Sequence, residues 1–478
     1  MKHYLMFDLG TGNSRVGLVN SEGHILGIKG FTNTYYRDDQ YEDAQYIIPG
    51  EWEDKLIDCC AELCAEHPEV KVDAISSAAA RQTFILIDKE GDTFLGLPNI
   101  DNRGREYVGA IANKEEIYRK SGKWVTEDFG AAKMLGLKKK MFDQYSRISK
   151  ITSMSEWIGY VLTGRVAMEY SQASETQLYD LQNRKWSSEI CGWYDIDVDI
   201  LPELVESGTR LGHIKDEFRE KFNLNEGAMF IVGGADTQIA IKQTDIKDGD
   251  IAIVSGTTSP VVTLKKDYFY DKEERVWTDA NLGGRNYQIE MNPGVTGLNY
   301  QKMKAQFCDD ISYDELEEYY KNLDEVRCTA SFSSLLFYKK QSLRNGGFFM
   351  RSPLQDKVNR CDLMYAVVAD IACATYEQLR RLIEISGNNP EVILACGGGF
   401  QSEALCKMIA SLSGKPLKIK EGFEQATIQG LVAICNKTLE LVSGSTADYK
   451  IINPDQSNLV FQYYPVWSEN RARANNIQ

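Results

Sequence analysis

The sequence predicts an α/β protein of two lobes with a cleft between them. Three observations support this prediction. The chain has 478 residues, which is too long for a single hydrophobic core on the usual size of domains. Two segments of the same build, residues 5–19 and residues 251–262, stand about one per half of the chain. Strand-like apolar runs alternate with helix-like amphipathic segments in both halves. We therefore place one lobe at residues 1–245 and the other at residues 246–478.

Each of the two similar segments predicts a β-hairpin whose tip is made of small residues. The first passes through Gly10-Thr11-Gly12-Asn13-Ser14 between its apolar runs, and the second passes through Ser255-Gly256-Thr257-Thr258-Ser259. A tip without bulky side chains can bring backbone N–H groups against a phosphate. Two such tips therefore predict that the lobes hold one polyphosphate from both sides.

The aspartate before the first tip, Asp8, is a candidate Mg²⁺ ligand, with Thr11 and the nearby N–H groups at a phosphate. A Rossmann dinucleotide loop also begins with Gly-x-Gly, but it then enters a helix, whereas residues 16–19 predict a strand. A plain hairpin with a turn aspartate is the alternative for this segment alone, and the second hairpin counts against it.

The other elements follow from periodicity and turn residues. The sequence predicts strands within residues 1–30 and at residues 74–80, 83–87, 229–232 and 392–395, and helices at residues 51–66, 362–386, 402–412 and 425–442. The tail after Asn453 is predicted to be loosely structured. The lobe boundary is expected between Ala240 and Asp250, just before the second hairpin.

Composition limits the partners and the compartment. The formal net charge of −15 argues against nucleic acid, because a phosphate backbone needs a basic surface. The sequence contains no run of 18 or more apolar residues, so we expect no membrane span, and we expect no signal peptide. The 11 scattered cysteines indicate free thiols in a reducing cytoplasm. The chain has four histidines and none lies in a motif, so a carboxylate is the expected proton acceptor.

Two glycine-rich turns follow predicted strands. Gly233-Gly234-Ala235-Asp236 places an acid at a cleft, although an aspartate that caps the following helix is an equal alternative on spacing alone. Gly397-Gly398-Gly399 lies between a strand and a helix, where bare backbone can meet a flat ring or a phosphate. A tight strand-to-helix turn is the alternative, and three successive glycines exceed what such a turn needs.

A further pair of segments in the first lobe carries polar side chains after or between strands. Arg81, in Ala80-Arg81-Gln82-Thr83, and Asp101, in the run at residues 99–103, can hydrogen-bond the hydroxyls of a polyol. Ion pairs without a ligand are the alternative for each of them.

Taken together, these motifs resemble the FGGY carbohydrate kinases of the actin/hexokinase-like (ribonuclease H-like) ATPase superfamily. The resemblance covers nearly the whole chain and keeps the motifs in order: two phosphate hairpins, Gly234-Ala235-Asp236, and an adenosine motif from Gly397 through Gly430. It implies a catalytic cleft between the lobes, ATP and Mg²⁺ as cofactors, and a small sugar or polyol as partner. It is also compatible with a homodimer.

The resemblance also implies roles for individual residues. Asp236 would be the general base and, with Asp8, would hold Mg²⁺. The nucleotide would be bound by residues of both hairpins and of the glycine turn: Thr11, Gly12, Asn13, Arg15, Gly256, Thr257, Gly398, Gly399 and Ser402. The sugar would be faced by Arg81, Gln82, Asp101 and Asp236.

The resemblance to the FGGY carbohydrate kinases does not identify the acceptor. The sugar strand carries Ala80-Arg81-Gln82, which matches neither the Met-His pair of xylulose kinases nor the Arg-Glu pair of glycerol kinases, and the run at residues 98–103 is similar to autoinducer-2 kinases. We expect phosphorylation of a small sugar, ketulose or polyol at a primary hydroxyl. The alternatives are an autoinducer-2 kinase and a non-catalytic sugar- or nucleotide-binding regulator on the same fold. An actin-like or chaperone-like ATPase is disfavoured, because Arg81, Gln82 and Asp101 would then have no small ligand.

Overall fold

Two large β-sheets, one in each half of the chain, organise the computed structural model of the protein. The structure describes residues 1–334, 345–354, 356–441 and 448–476. The first sheet and its helices are built from residues before Thr244, and the second sheet begins at Ile251. The predicted boundary at residues 245 and 246 therefore falls in the connection between the two sheets.

The elements of the first half are, in chain order, β1 His3–Leu9, β2 Asn13–Asn20, β3 Ile25–Thr32, β4 Tyr36–Arg37, β5 Gln45–Tyr46, α1 Pro49–Glu66, β6 Val72–Ala79, β7 Phe84–Ile87, β8 Thr93–Leu97, α2 Lys114–Ser121, α3 Gly130–Lys140, α4 Phe142–Arg147, β9 Lys150–Ser153, α5 Met154–Thr163, β10 Ala167–Glu169, α6 Tyr170–Ser174, β11 Tyr179–Asp180, β12 Lys185–Trp186, α7 Ser188–Trp193, β13 Glu203–Val205, β14 Arg210–His213, α8 Asp216–Arg219, β15 Leu224–Ala235 and α9 Asp236–Gln243.

Those of the second half are β16 Ile251–Val254, β17 Val261–Lys265, β18 Trp277–Ala280, β19 Tyr287–Met291, α10 Gly297–Phe307, α11 Tyr313–Lys321, β20 Cys328–Ser331, β21 Gly347–Met350, α12 Arg360–Ser386, β22 Ile393–Cys396, α13 Glu403–Ser413, β23 Leu417–Lys420, α14 Ala426–Thr438, β24 Tyr449–Ile452 and α15 Val460–Asn476.

The two sheets share one arrangement at their centres. The first has the strand order β14-β15-β6-β1-β2-β3, and the second has the order β18-β19-β17-β16-β22-β23-β24. In each, the hairpin strands pair antiparallel (β1 with β2, β16 with β17), and the first hairpin strand also pairs parallel with a later strand (β1 with β6, β16 with β22). Both predicted hairpins are thus confirmed, and the repeat in the sequence corresponds to a repeat in topology.

Helices cover the sheets with apolar faces. Helix α1 buries Trp52, Leu56 and Leu63 against the first sheet, at the period expected for an amphipathic helix. Helix α12 is 27 residues long and is the central helix of the second core. The predicted helices at residues 51–66, 362–386 and 402–412 are confirmed within two residues at each end. The helix predicted at residues 425–442 ends at Thr438, and residue 442 lies outside the described part of the chain.

The prediction of a loosely structured tail after Asn453 is wrong, because residues 460–476 form helix α15. Its residues Tyr463 and Trp467 are buried in the second core, and Trp467 Nε1 donates a 2.7 Å hydrogen bond to Asp370 on α12. An internal proline, Pro465, and a largely polar stretch at residues 468–476 hide the helical period. Long-range packing against α12 supplies the stability that the local sequence lacks.

Helices α9 and α14 cross at close range between the sheets. A side chain added at Gly430 of α14 would lie 2.0 Å from the carbonyl oxygen of Ile239 on α9. Although α14 comes from the second half, Ile428 and Leu431 pack in one cluster with Tyr4 and Ile231 of the first sheet. The crossing therefore fixes the second half of the chain against the first sheet.

No helix of the described residues is long and apolar enough to cross a membrane.

We predict that Gly430→Ala destabilises the protein, because the added methyl group overlaps the backbone of α9. Overpacking of this kind costs about 1–3 kcal/mol, which lowers the thermal unfolding midpoint. The control is Gly50→Ala in α1, where nothing lies within 4 Å of the added methyl group, so that the midpoint stays or rises. Equal midpoints for the two variants would refute the close crossing.

Candidate functional site

Three candidate residues lie at the carboxyl ends of neighbouring parallel strands. In the register of β1, β6 and β15, Leu9 pairs with Ala79 and Ala79 pairs with Ala235. Asp8 therefore lies near the end of β1, and Arg81 and Asp236 follow the ends of β6 and β15. This edge of an α/β sheet is where ligands usually bind.

The tip of the first hairpin is held by side chains that sequence reasoning missed. The carbonyl oxygen of Thr11 accepts hydrogen bonds from Tyr35 Oη (2.6 Å) and Asn33 Nδ2 (3.1 Å). The Thr11 hydroxyl accepts one from Asn99 Nδ2 at 2.7 Å. A methyl group added at Gly12 would meet nothing within 4 Å, so the backbone of this residue faces open space. Asn99 stands in the run that the sequence singled out, whereas nothing in the sequence marks Asn33 or Tyr35.

Asp8 and Arg15 are cross-strand partners at the base of this tip. Arg15 donates to Asp8 Oδ2 at 2.5 Å and, through its other terminal nitrogen, to Gln425 Oε1 at 3.0 Å. Gln425 directly precedes α14, so Arg15 connects the first hairpin to the second half. Asn13 is at the start of β2, where its amide oxygen accepts from the Thr32 hydroxyl.

The second hairpin and the glycine turn contact each other directly. Ser255 N donates to Cys396 O at 2.9 Å, and Gly399 N donates to Ser255 O at 3.1 Å. Gly397 has a φ of 100°, and a methyl group at Gly399 would overlap the Ser255 hydroxyl at 2.0 Å. These two glycines are therefore explained by packing.

Two other glycines of this region have an open face. Nothing lies within 4 Å of a methyl group added at Gly256, and at Gly398 only a Gln401 side-chain atom lies at 4.0 Å. The carbonyl oxygen of Thr257, next to Gly256, accepts from Thr296 N at 3.0 Å. The structure thus presents bare backbone at Gly12, Gly256 and Gly398.

Ser402 caps helix α13, with its hydroxyl oxygen accepting from Leu405 N at 3.2 Å and donating to Glu317 at 2.5 Å. The Ser402 hydroxyl is thus already hydrogen-bonded within the protein, four residues after the open backbone at Gly398.

Asp236 is the first residue of α9, and the preceding Ala235 occupies the capping position. Its Oδ1 accepts from the following Thr237 N at 2.7 Å. Burial raises the pKa of Asp236 to about 6, an effect that the charge of Arg81 reduces and that of Asp8 increases. Because Ala235 holds the capping position and no side chain of the described residues caps α9, the structure does not support the capping alternative, and the role of Asp236 in proton transfer stays a prediction.

Arg81 and Gln82 belong to a buried charge cluster that spans the two halves of the chain. Arg81 makes two hydrogen bonds to Glu290 of β19, at 2.7 and 2.9 Å, and Gln82 Nε2 donates to Glu175 at 3.0 Å. Lys123 pairs with Asp279 of β18 in the same cluster. Each cation comes from the first half, and its closest carboxylate comes from the second.

The cluster holds more carboxyl groups than cations, and burial acts on their pKa values. Two cations face three carboxylates: Arg81 and Lys123 against Glu175, Asp279 and Glu290. Burial raises the pKa of Glu175 above its usual range. For Asp279, burial acts to raise the pKa, but Lys123 and Arg81 outweigh it and the pKa is lowered. The carboxyl groups of Glu175 and Asp279 are thus shifted in opposite directions, and Asp279 is the one that Lys123 and Arg81 keep ionised.

Asp101 is fully buried and already bound within the first lobe. Its carboxylate accepts from Gln45 N at 2.9 Å and from Arg103 Nε at 2.8 Å. The structure thus favours the ion-pair alternative for this residue, while its contact with a sugar stays a prediction.

The residues present fit a Mg²⁺ ion that is shared with a ligand. No group of three or more His, Cys, Asp or Glu side chains among the described residues is arranged to hold a metal. Mg²⁺ is usually held by one or two carboxylates together with substrate phosphates and waters. Asp8 and Asp236 supply hard oxygen donors near enough for the charge of Asp8 to raise the pKa of Asp236.

Comparison with known proteins gives matches over most of the chain. Residues 3–241 match the model of the FGGY family of carbohydrate kinases, N-terminal domain, and residues 251–439 match that of its C-terminal domain. A putative sugar kinase of Bacillus subtilis, YoaC, is 35% identical over 470 residues, which cover 98% of this chain and 96% of that protein.

More distant relatives carry more specific names. An autoinducer-2 kinase of Salmonella choleraesuis is 24% identical over 441 residues, which cover 86% of this chain and 82% of that protein. The crystal structure of a ligand-bound xylulose kinase from Lactobacillus acidophilus has a TM-score of 0.84 at 18% identity, covering 99% of this chain and 98% of that one. The predicted two-lobed actin/hexokinase-like fold is confirmed.

We predict that the ion pair of Arg81 and Glu290 stabilises the contact between the halves. Arg81→Met leaves Glu290 buried without its cation, and breaking a buried pair in this way costs about 3–5 kcal/mol. Adding Glu290→Gln to Arg81→Met should recover part of that loss in a double-mutant cycle followed by thermal unfolding.

The matched control is Arg285→Met. Arg285 also joins the halves, through Glu206 at 2.9 Å, but its side chain is 77% exposed, so we expect little change in the unfolding midpoint. If Arg81→Met lowers the midpoint no more than Arg285→Met, the cluster does not hold the halves together.

Proposed function

This chain belongs to the FGGY family of carbohydrate kinases and phosphorylates a sugar with ATP. We propose that the acceptor is a small, largely linear sugar, ketulose or polyol that reacts through a primary hydroxyl. Membership of the family favours this over a non-catalytic regulator. The single observation that carries the mechanism is the position of Asp236, a carboxylate of raised pKa at the strand ends that also carry Asp8 and Arg81.

Asp236 is the general base in this proposal. Its carboxylate accepts the proton of the attacking hydroxyl while the hydroxyl oxygen forms a bond to the γ-phosphorus of ATP. The bond from that phosphorus to the β–γ bridging oxygen breaks, and ADP leaves with the electron pair. A base whose pKa is about 6 is ionised at neutral pH and still accepts a proton readily.

The nucleotide lies between the halves of the chain. Thr11, Gly12, Asn13 and Arg15 face its phosphates from the first lobe, and Gly256 and Thr257 face them from the second. The open backbone at Gly12 and Gly256 supports this arrangement, since N–H groups there can approach a phosphate without steric hindrance. Gly398, Gly399 and Ser402 line the adenosine site, where Gly398 supplies the open surface.

Asp8 and Asp236 would hold Mg²⁺. When bound, the ion neutralises charge on the phosphates. Arg15 fixes the orientation of the Asp8 carboxylate through its 2.5 Å contact.

Arg81, Gln82, Asp101 and Asp236 form the sugar side of the cleft. The two hydrogen bonds to Glu290 hold the Arg81 guanidinium in one orientation, and a guanidinium has further N–H donors for hydroxyl groups. A sugar contact of Asp101 is part of this proposal, and in this structure its carboxylate accepts from Arg103 Nε. Orienting the hydroxyl and the phosphate together can supply about 7–11 kcal/mol of the barrier reduction.

Autoinducer-2 is the second candidate acceptor. The relative from Salmonella choleraesuis carries that activity in its name, and it covers 86% of this chain. The homodimer and the cytoplasmic location stay predictions.

We predict that Gly256→Ala weakens nucleotide binding without destabilising the protein. The added methyl group fills open space, so that the unfolding midpoint stays, but it intrudes on the phosphates and raises the KM for ATP by about tenfold, or 1.4 kcal/mol. Gly192→Ala in α7, which also faces open space, is the control and should leave both quantities unchanged. An unaltered KM for ATP in Gly256→Ala would place the phosphates elsewhere.

We predict that Asp236→Asn lowers kcat by about 10²–10⁴-fold, the usual contribution of a general base. ATP consumption is measured over a panel of pentuloses, pentitols, glycerol, gluconate and dihydroxypentanedione, and binding of a non-hydrolysable ATP analogue is measured in parallel. The exposed Asp216→Asn is the control for the loss of one carboxylate. Normal turnover by Asp236→Asn on the best acceptor would contradict the assignment of the base.

A further inference from the structure

A cavity of about 700 Å³ lies between the halves of the chain near the C-terminal ends of α9 and α14. We call it the rear cavity and define it by Gln238, Lys242, Leu264, Asn281, Ile434 and Lys437. Its volume is within the usual range for small-molecule sites. None of the nucleotide, sugar or metal residues discussed above lines it.

The charge of the rear cavity is positive in a protein of net charge −15. Four cations and two carboxylates line it, and the carboxylates Glu206 and Asp248 face Arg285 and Lys266 at 2.9 and 4.0 Å. Lys242 and Lys437 have no carboxylate within 4.0 Å among the residues that the structure describes. The ammonium groups of Lys242 and Lys437 are therefore available to bind a doubly charged anion.

Buried polar atoms point to a ligand independently of these charges. Gln238 is fully buried, and neither its Nε2 nor its Oε1 has a hydrogen-bond partner within the described residues. The Ser207 hydroxyl and Asn281 Oδ1, which line the same cavity, are also buried without a partner there. Leaving a buried polar atom without a partner is unfavourable. A ligand that hydrogen-bonds these atoms removes that cost.

The remaining wall is apolar. Five aliphatic side chains line the cavity: Ile241, Ile246, Leu264, Leu282 and Ile434. A bare inorganic anion would leave this wall and the Gln238 amide unused. An organic anion whose body carries both apolar surface and hydrogen-bonding groups uses all three features.

We propose that the rear cavity is a binding site for a small organic phosphate, with the phosphate at Lys242 and Lys437 and the body of the molecule against Gln238 and the aliphatic wall. Lysine ammonium groups bind phosphate as point charges. The site is distinct from the catalytic one, although Gln238 is only two residues after Asp236 on α9. A ligand there touches both halves of the chain and can thereby couple to the catalytic cleft.

The test uses AMP as the probe, because it combines a phosphate, hydroxyl groups and an apolar ring. The full-length protein is first saturated with AMP-PNP and Mg²⁺ to fill the catalytic nucleotide site, and AMP is then titrated by calorimetry. We expect AMP to bind the saturated protein, and Lys242→Gln/Lys437→Gln to weaken this binding at least tenfold. Gln238→Leu should weaken it as well, because it removes the buried amide.

Lys89→Gln/Lys272→Gln, which removes two exposed lysines elsewhere, is the matched control and should bind AMP like the unmodified protein. The affinity for AMP-PNP should be the same in all variants, which reports separately on the catalytic site. The proposal is overturned if AMP does not bind the saturated protein, or if it binds equally in the Lys242→Gln/Lys437→Gln variant. Binding of adenosine or inorganic phosphate as tight as that of AMP also overturns it.

Discussion

The crossing of α9 and α14 is the constraint on which the rest of this structure depends. Because Gly430 has no side chain, helix α14 can rest against the backbone of α9, the helix that begins with Asp236. A single contact thus relates the candidate base to the part of the second half that we propose to bind the nucleotide. The C-terminal ends of the same two helices line the rear cavity. The proposed catalytic site and the proposed phosphate site therefore both depend on the packing of α9 against α14.

The buried charge cluster gives the cleft its second connection between the halves. An arginine that sequence reasoning assigned to the sugar is bound here by a glutamate of the opposite half, Glu290. Residue identity at residues 80–82 alone therefore does not describe the surface that we propose to meet the acceptor, since Glu290 and Glu175 hold the side chains of Arg81 and Gln82. This explains physically why the motif at residues 80–82 did not identify one acceptor.

Local patterns predicted the two hairpins and the main helices, and long-range contacts explain the helix that they missed. The hairpins, α1 and α12 have strong periodicity or tight turns, and they were predicted nearly to the residue. Helix α15 was missed because its stability comes from packing against α12. Within the site, Asp236 stood on a glycine-rich turn, whereas Asn33, Tyr35 and Glu290 act through contacts that no spacing along the sequence reveals.

The most direct test of the central claim is a crystal structure of the protein with Mg²⁺, a non-hydrolysable ATP analogue and an acceptor found in the panel. We expect the phosphates to lie between residues 10–12 and residues 256–258, with the Asp236 carboxylate within hydrogen-bond distance of the acceptor hydroxyl. A nucleotide bound to one hairpin alone, or an acceptor hydroxyl far from Asp236, would contradict it.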